Sequence, residues 1–144
     1  MKKKVSDILA DFLKEKKIKV VFGIIGSANS HIFDSINNLG YTRIINTHHE
    51  QAAVMAAGAY YRVSGKISVA IVTAGAGSSN AITGVISNWA DSIPCLIISG
   101  QEPIRYINRD KNLRMYGTQG FNSVKMVKDV TKYAVAISDP NKIT

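Results

Sequence analysis

Short runs of β-branched and aromatic residues alternate along this chain with segments whose apolar residues recur at helical spacing. Strands that alternate with helices are typical of a parallel sheet covered by helices on both faces, so the sequence predicts an α/β fold. The predicted helices are residues 7–16, 31–39, 50–63, 80–89 and 122–128. The predicted strands are residues 19–22, 42–46, 66–72, 94–99 and 133–137.

Helix caps and breaks define these boundaries. Ser6 is predicted to cap the first helix, because a serine oxygen can accept a hydrogen bond from a first-turn N–H. Gly23 is expected to stop the first strand, and Gly40 and Gly65 to end two helices. Residues 75–79 are predicted to form a tight turn, and residues 100–120 to be irregular.

The last residues begin a helix that has little room to continue. Asp139 is a suitable cap and Pro140 suits the first helical position, yet the sequence printed ends at Thr144. A helix of about one turn is marginal in water. We therefore interpret residues 1–144 as a single domain that is an N-terminal piece of a longer, three-domain polypeptide. A natural small subunit of a two-chain enzyme is the alternative.

Composition restricts the class of protein. Hydrophobic residues make up 46% and charged residues 19% of the 144 residues, which is typical of a soluble globular domain. No apolar run approaches the roughly 20 residues of a membrane span, and an apolar segment does not follow the N-terminal lysines. We expect a cytoplasmic protein with no membrane partner. Cys95, the single cysteine, excludes an internal disulfide and is predicted to be a buried thiol.

The net charge of +8 raises the question of nucleic-acid binding. The lysines are scattered, and basic and aromatic residues do not alternate on one face. We expect no nucleic-acid partner, because a basic surface that faces acidic partner domains explains the charge equally well. His48 and His49 could form a metal pair, but we expect no metal site on this chain.

Ligands of parallel sheets bind beyond the carboxyl ends of the strands, which here means the loops at residues 23–29, 47–50 and 73–80. Glu50 begins a helix, where a carboxylate can simply complement the helix dipole. Its helix is rich in alanine, and Ala52, Ala53, Ala56, Ala57 and Ala59 are predicted to form a smooth surface for another helix. A glutamate at the rim of such a surface would be desolvated and could exchange a proton near neutral pH.

The loop Thr73-Ala74-Gly75-Ala76-Gly77-Ser78-Ser79-Asn80 allows backbone to approach a ligand closely. It does not match a dinucleotide fingerprint, because Asn80 stands where the third glycine would be, and it lacks the ending of a phosphate loop. A flavodoxin-like nucleotide-binding module is therefore disfavoured. A tight strand-to-helix turn remains the plain alternative.

Several motifs together resemble thiamine-diphosphate-dependent enzymes related to acetolactate synthase, in the order and at the spacing of their N-terminal, pyrimidine-binding domain. They extend over nearly the whole chain from about Val20 onward. The motifs are His49-Glu50-Gln51-Ala52-Ala53, Ala57-Gly58-Ala59-Tyr60, Ser64-Gly65-Lys66, Val72-Thr73-Ala74-Gly75-Ala76-Gly77 with Asn80 and Gly84, Asp91-Ser92-Ile93-Pro94, Ile98-Ser99-Gly100-Gln101 and Val130-Thr131-Lys132-Tyr133.

The resemblance implies that Glu50 is catalytic. In this family the matching glutamate hydrogen-bonds N1′ of the aminopyrimidine ring of thiamine diphosphate, which favours the imino tautomer needed to remove the thiazolium proton. Gln119 matches a glutamine that faces the active centre, although Thr118 precedes it where relatives usually have Phe. The residues implied in cofactor binding, besides Glu50, are Gly26, Ser27, His49, Thr73, Gly75, Ala76, Gly77 and Asn80.

Two of these positions carry specific expectations. Asn80 is expected to cap the next helix beside the cofactor. Ala76 stands where relatives commonly have Pro, which puts the rigidity of its loop in doubt.

The resemblance also implies cofactors and partners. Mg²⁺ would bind through a diphosphate-binding domain whose motif is absent from these 144 residues. FAD, used by some relatives, is left open. The active site would form between subunits of a homodimer or tetramer, so this chain would hold half a site. The substrate class is a small 2-oxo acid, with pyruvate as the default. A non-catalytic α/β binding module is the alternative.

Overall fold

The computed structural model describes residues 3–107 and 112–143. Four strands and seven α-helices lie within these ranges, followed by two single-turn 3-10 helices at Lys128–Val130 and Pro140–Lys142. None of these helices is both long and apolar enough to cross a bilayer. In chain order the elements are α1 (Val5–Glu15), β1 (Val20–Gly23), α2 (Ser30–Leu39), β2 (Arg43–Asn46), α3 (Glu50–Ser64), β3 (Val69–Val72), α4 (Ala76–Asn80), α5 (Ile82–Ala90), β4 (Leu96–Ser99), α6 (Ile104–Ile107) and α7 (Ser123–Val127).

The four strands form one parallel sheet in the order β2-β1-β3-β4. Val21 of β1 pairs with Ile44 on one side and with Val69 on the other. Successive side chains of a strand point to opposite faces, so each central strand contributes to two cores. The predicted α/β fold with helices on both faces is confirmed.

One core lies between the sheet and helices α1 and α2. Val21, Val69 and Ile71 of the strands pack there against the helices. The other core lies between the sheet and helices α3 and α5, and the alternate strand residues Phe22, Ala70 and Val72 face it. This regular alternation makes a three-layer domain.

Helices α3 and α5 approach closely because glycines lie at their contact. A Cβ placed on Gly84 would lie 2.7 Å from the Val54 Cβ, and one placed on Gly58 would overlap the side chain of Asn88. The Asn88 amide donates to the Val54 carbonyl at 3.2 Å and is buried. This contact needs small residues on both helices.

The helix ends agree with the sequence at two positions and disagree at a third. Gly40 and Gly65 end their helices with φ of 66° and 67°, which favours glycine. Ser6 does not cap α1, because the helix begins at Val5, two residues before the predicted start at residue 7. Lys4 is the residue that precedes the helix. Ser6 is instead buried, and its hydroxyl lies 2.9 Å from that of Ser35, which contacts the Asp7 carboxylate at 2.7 Å.

Several other predictions of local structure are wrong. Gly23 is part of β1, where its missing side chain admits the Ile71 carbonyl and the Phe33 ring. The turn predicted at residues 75–79 is mostly the short helix α4, and residues 100–120 include α6. Residues 133–137 form no strand, and the alternating Tyr133, Val135 and Ile137 are exposed.

Two other expectations concern single features. The helix start predicted at the end of the chain is confirmed as a 3-10 turn, in which the Asp139 side chain accepts from the Asn141 N–H. Cys95 is half-buried rather than fully buried, and it packs against the core under α3 and α5. Burial raises the pKa of its thiol to about 11, and a hydrogen bond with the Ala70 backbone opposes this rise.

Candidate functional site

The sheet has a switch point between β1 and β3. The chain leaves β1 toward β2 on one side, whereas from β3 it continues to β4 on the other. Loops that diverge in this way leave a crevice at the carboxyl ends of the two strands, the preferred place for ligands in open α/β sheets. The loops predicted at residues 23–29 and 73–80 both start at this crevice.

The first loop is tied together by a buried asparagine. Asn29, 1% exposed, accepts from the Gly26 N–H at 2.8 Å and donates to the Ile24 carbonyl at 3.1 Å. Gly26 then lies against the second loop, since a Cβ placed on it would be 2.6 Å from the Thr73 hydroxyl oxygen. Asn29 was not predicted from the sequence as a site residue. An asparagine just before a helix is typical of a helix cap. In the structure, however, the Asn29 side chain makes its hydrogen bonds within the preceding loop.

The second loop turns sharply at Gly75, whose φ of 67° and ψ of −125° favour glycine. The Ser78 hydroxyl donates to the Gly75 carbonyl at 2.8 Å and closes the turn. Ala76 is the first residue of α4, a position where proline is well tolerated because its N–H needs no intrahelical partner. The proline that the resemblance leads us to expect at this position would fit the helix geometry, and Ala76 begins α4 without it.

Glu50 is the buried carboxylate of the site. It is the first residue of α3 and is 8% exposed. Its Oε2 accepts from the Asn80 amide at 3.0 Å. Its Oε1 takes no hydrogen bond from residues 3–107 or 112–143, and a Cβ placed on Gly77 would lie 3.0 Å from it. The Oε2 oxygen is thus held by the Asn80 amide, and the Oε1 oxygen lies beside the backbone of Gly77.

Asn80 has a different role from the predicted one. It is the last residue of α4, and the residue before α5 is Ala81, which makes no side-chain cap. The Asn80 amide instead orients Glu50 from 30 residues away in the chain.

The alanines of α3 do not form one smooth surface as predicted. Ala53 and Ala57 are buried in the protein's own core, and Ala56 packs against that core. Ala52 and Ala59 are exposed on the opposite side. A helix in contact with a sheet must bury one side, and this divides the alanines between the core and the surface.

His49 and Ser27 lie on the exposed side of the site. His49 precedes α3 and caps it, because its Nδ1 accepts from the Gln51 N–H at 3.2 Å. The Ser27 carbonyl accepts from the Ser30 hydroxyl at 3.4 Å. Among the described residues, no hydrogen bond joins the side chain of His49 or Ser27 to Glu50. The structure therefore shows no direct bond between these two residues and the buried carboxylate.

Gln119 reaches the site from the C-terminal part of the chain. A Cβ placed on Gly75 would lie 2.7 Å from the Gln119 Cδ, so the glutamine side chain packs on the second loop. Its backbone N–H donates to the Glu102 carboxylate at 3.2 Å. Glu102 was not predicted from the sequence, because nothing in a single glutamate after a strand indicates that it contacts residues 16 or 17 positions later.

The arrangement presents one carboxylate oxygen that can accept a hydrogen bond from a ligand and exchange a proton with it. The glycine backbone at positions 26 and 77 packs directly against the Thr73 side chain, and the Oε1 of Glu50 lies beside Gly77. Buried acceptors of this kind discriminate strongly in favour of a ligand that offers a donor. Within the described ranges, no three His, Cys, Asp or Glu side chains cluster as metal ligands would.

The family model described as "Thiamine pyrophosphate enzyme, N-terminal TPP binding domain" matches residues 3–126. The chain is also similar to curated acetolactate synthases. It is 41% identical to the large subunit from Haemophilus influenzae over 73% of this chain and 18% of that protein. It is 33% identical to the large subunit from Lactococcus lactis over 93% of this chain and 22% of that protein.

A plant relative matches over a longer stretch. The chloroplastic acetolactate synthase of Arabidopsis thaliana is 31% identical over 98% of this chain and 20% of that protein. The chain therefore spans about one fifth of the length of the curated relatives it matches.

Proposed function

The chain belongs to the thiamine pyrophosphate enzymes, as their N-terminal TPP binding domain, and from this premise we propose that it activates the cofactor of a 2-oxo acid decarboxylating enzyme. The observation that carries the proposal is Glu50, a buried carboxylate at the switch point with one oxygen held by Asn80 and the other free. The whole enzyme would be similar to acetolactate synthase, and residues 1–144 would be one domain of it.

The residues at the crevice fit an aminopyrimidine ring. Gly26 and Gly77 both pack on the Thr73 side chain, so Gly77 brings backbone and no side chain next to the Glu50 Oε1, where a ligand ring would meet the carboxylate. A ring nitrogen that can carry a proton would meet the free Oε1 of Glu50. Gly26, Thr73, Gly77 and Glu50 would hold the ring, with Gly75, Ala76 and Asn80 supporting them and Ser27 and His49 at the exposed rim.

Glu50 would hold or release a proton at that ring nitrogen. The carboxylate is largely buried, so a bound ring would displace the little water that reaches Oε1, and the Asn80 amide occupies Oε2 and leaves Oε1 available. When bound, thiamine diphosphate supplies a thiazolium carbon that adds to the carbonyl of a 2-oxo acid and accepts the electrons released on decarboxylation. The protein's own contribution is tautomer control and exclusion of water.

The remaining parts of the proposal lie outside this chain. Mg²⁺ and the diphosphate would be held by another domain, and FAD use would depend on a further one. Pyruvate is the proposed substrate, since the curated relatives are acetolactate synthases. Gln119 would lie near the reacting carbon because it packs on the second loop.

We also propose that a partner subunit covers helices α3 and α5. Met55 and Val63 of α3 and Ile86 and Trp89 of α5 are apolar and between 40% and 91% exposed. Sedimentation of the protein at several concentrations is expected to show dimers or tetramers, and Ile86→Glu is expected to weaken them. A monomer at all concentrations would contradict this part.

The test uses the complete polypeptide or the reconstituted complex with thiamine diphosphate, Mg²⁺ and pyruvate, and follows carbon dioxide release. Glu50→Gln keeps the shape of the side chain but cannot exchange the proton, and it is expected to lower the rate about 100-fold or more. Glu15→Gln is the matched control, because Glu15 is exposed and, within residues 3–107 and 112–143, pairs only with Lys16. This chain without the other domains is expected to show no turnover.

Equal rates for the native protein and Glu50→Gln would remove Glu50 from the reaction. Circular dichroism and melting of both variants exclude misfolding as the cause of a lost rate. Absence of turnover with every 2-oxo acid, together with no binding of thiamine diphosphate, would favour the non-catalytic binding module.

A further inference from the structure

The turn that carries Gln119 is built around one carboxylate. Glu102 follows β4, and its Oε1 accepts from the backbone N–H groups of Thr118 and Gln119, both at 3.2 Å. Hydrogen bonds from backbone N–H groups to an ionised carboxylate are stronger than those between neutral groups. The two bonds therefore fix the backbone of the turn at the residue that reaches the site.

Two glycines make room for this carboxylate. Gly117 has a φ of 63°, and a Cβ placed on it would lie 2.6 Å from the Glu102 Cδ. A Cβ placed on Gly120 would lie 2.6 Å from the Glu102 Cγ. The side chain of Glu102 thus fills the inside of the turn, and neither glycine tolerates a larger residue without displacing it.

The neighbouring glutamine holds the two ends of the same turn. The Gln101 amide donates to the Tyr116 hydroxyl at 3.3 Å and to the Phe121 carbonyl at 3.4 Å, and its Oε1 accepts from the Glu102 N–H at 2.9 Å. Tyr116 and Gly120 exchange backbone hydrogen bonds of 3.0 and 2.8 Å across the turn.

The protonation state of Tyr116 suits this arrangement. Partial burial raises the pKa of the phenol and the nearby Glu102 carboxylate raises it further, while the Gln101 hydrogen bond lowers it. The phenol oxygen accepts from the Gln101 amide in this setting.

The turn matters because of where it ends. The Gln119 side chain packs on Gly75, where the second loop of the site turns. A change in the backbone at Gln119 would move this contact directly. Displacements of about 1 Å near reacting groups can cost on the order of 100-fold in rate.

We propose that Glu102 is a positioning residue, which holds the Tyr116–Gly120 turn so that Gln119 lies against Gly75 in the second loop of the site. This inference rests on the proposed function for its effect on turnover, and on the structure alone for its effect on the turn. Glu102 itself contacts no reacting atom.

The first experiment measures amide hydrogen exchange by NMR in the protein of 144 residues. In Glu102→Ala the Thr118 and Gln119 amides lose their acceptor and are expected to exchange about tenfold faster or more. Glu102→Gln keeps an acceptor oxygen and is expected to retain most of the protection. Amides of β1 and β3 serve as the internal control and should not change.

The second experiment is a double-mutant cycle on the complete enzyme, with carbon dioxide release as the readout. Glu102→Ala is expected to lower kcat about tenfold with little change in the Kd of thiamine diphosphate, and Glu102→Gln to restore most of it. Glu102→Ala combined with Gln119→Ala should be no slower than Gln119→Ala alone, because both changes remove the same contact.

Unchanged exchange at Thr118 and Gln119 in Glu102→Ala would overturn the positioning role. Rate losses that simply multiply in the double variant would show that Glu102 acts apart from Gln119, and would also overturn it. If Glu50→Gln leaves the rate intact, the proposed function fails, but the exchange experiment still decides whether Glu102 holds the turn.

Discussion

The two faces of the sheet are packed by side chains of different size. On the face of α1 and α2 the core is filled by Leu13, Phe33 and Ile36, each at most 3% exposed. On the face of α3 and α5 the helices contribute the smaller side chains Ala53, Val54, Ala57 and Val85 and two glycines that touch the opposite helix, with Ala81 just before α5. One face buries large apolar groups, and the other brings backbones close together.

We therefore expect the face of α1 and α2 to contribute mainly to stability and the face of α3 and α5 to support the proposed site. Large buried side chains supply most of the apolar area removed from water, and each is worth about 1.5–3 kcal/mol. Small residues contribute less area, but they let α3 and α5 pack closely, and the segment between β3 and α5 carries Asn80 to Glu50. The carboxylate that the proposed chemistry needs thus lies at the edge of the face with small residues.

The largest stability effect is expected on the face with large side chains. Leu13→Ala leaves a cavity beside α2 and is expected to lower the free energy of unfolding by about 2–5 kcal/mol, measured by urea unfolding. Phe12→Ala, on the exposed side of the same helix, is expected to cost less than about 1 kcal/mol. Activity per folded molecule should be unchanged in both variants. A specific loss of activity in Leu13→Ala would contradict the assignment of stability and of the proposed site to different faces of the sheet.

Cys95 tests the burial of the other face chemically. Because burial raises the pKa of its thiol to about 11, little thiolate is present at pH 8. Alkylation by iodoacetamide should be on the order of 100-fold slower in the native protein than in urea, where the thiol has a pKa of about 8.5.

The same pKa predicts a dependence of stability on pH. The neutral thiol is favoured in the folded state, so the contribution is complete below about pH 8.5 and is lost as the pH rises toward 11. Cys95→Ala should remove this slope. Equal alkylation rates in native and unfolded protein would show that the face around Cys95 is open.

Gly84→Ala probes the close contact of the two helices. The added methyl group would meet Val54, so the change is expected to cost about 1–3 kcal/mol by overpacking. It should also weaken binding of thiamine diphosphate in the complete enzyme, because α3 carries Glu50. Ser87→Ala, exposed on the same helix, should change stability by no more than about 0.5 kcal/mol. Binding that stays intact despite lost stability would separate the helix contact from the site.

Ala76→Pro is expected to have the smallest effect, and a favourable one. Position 76 is the first of α4, so proline fits the helix and should raise the free energy of unfolding by about 0.4–1 kcal/mol. Ala90→Pro, at the end of α5, removes a helix hydrogen bond and should destabilise. Destabilisation by Ala76→Pro would mean that the second loop does not have the geometry described.

The sequence was sufficient for the sheet and for the helices on both its faces. β-Branched runs at β1 and β3 alternate between two apolar faces, and glycines end α2 and α3, so local pattern and tertiary structure agree there. Residues 133–137 have the same strand pattern but no pairing partner among the described residues. Propensity describes what a segment suits, whereas pairing depends on the rest of the structure.

The candidate site was predictable only in part. Glu50 at a helix start is visible in the sequence, and the resemblance gave it a role. Its bond with Asn80 was not predictable, because Asn80 lies before a helix and reads as a cap. Asn29 and Glu102 were missed for a similar reason, since their hydrogen bonds depend on how distant loops meet.

The Glu50 carboxylate is proposed to control the proton of the cofactor. The most direct test of this role is the rate at which the thiazolium C2 proton of thiamine diphosphate exchanges with deuterium in the complete enzyme, measured by NMR after rapid quenching. We expect Glu50→Gln to slow this exchange about 100-fold or more while Glu15→Gln does not change it. Exchange at the native rate in Glu50→Gln, with the cofactor bound, would contradict the proposed role of Glu50.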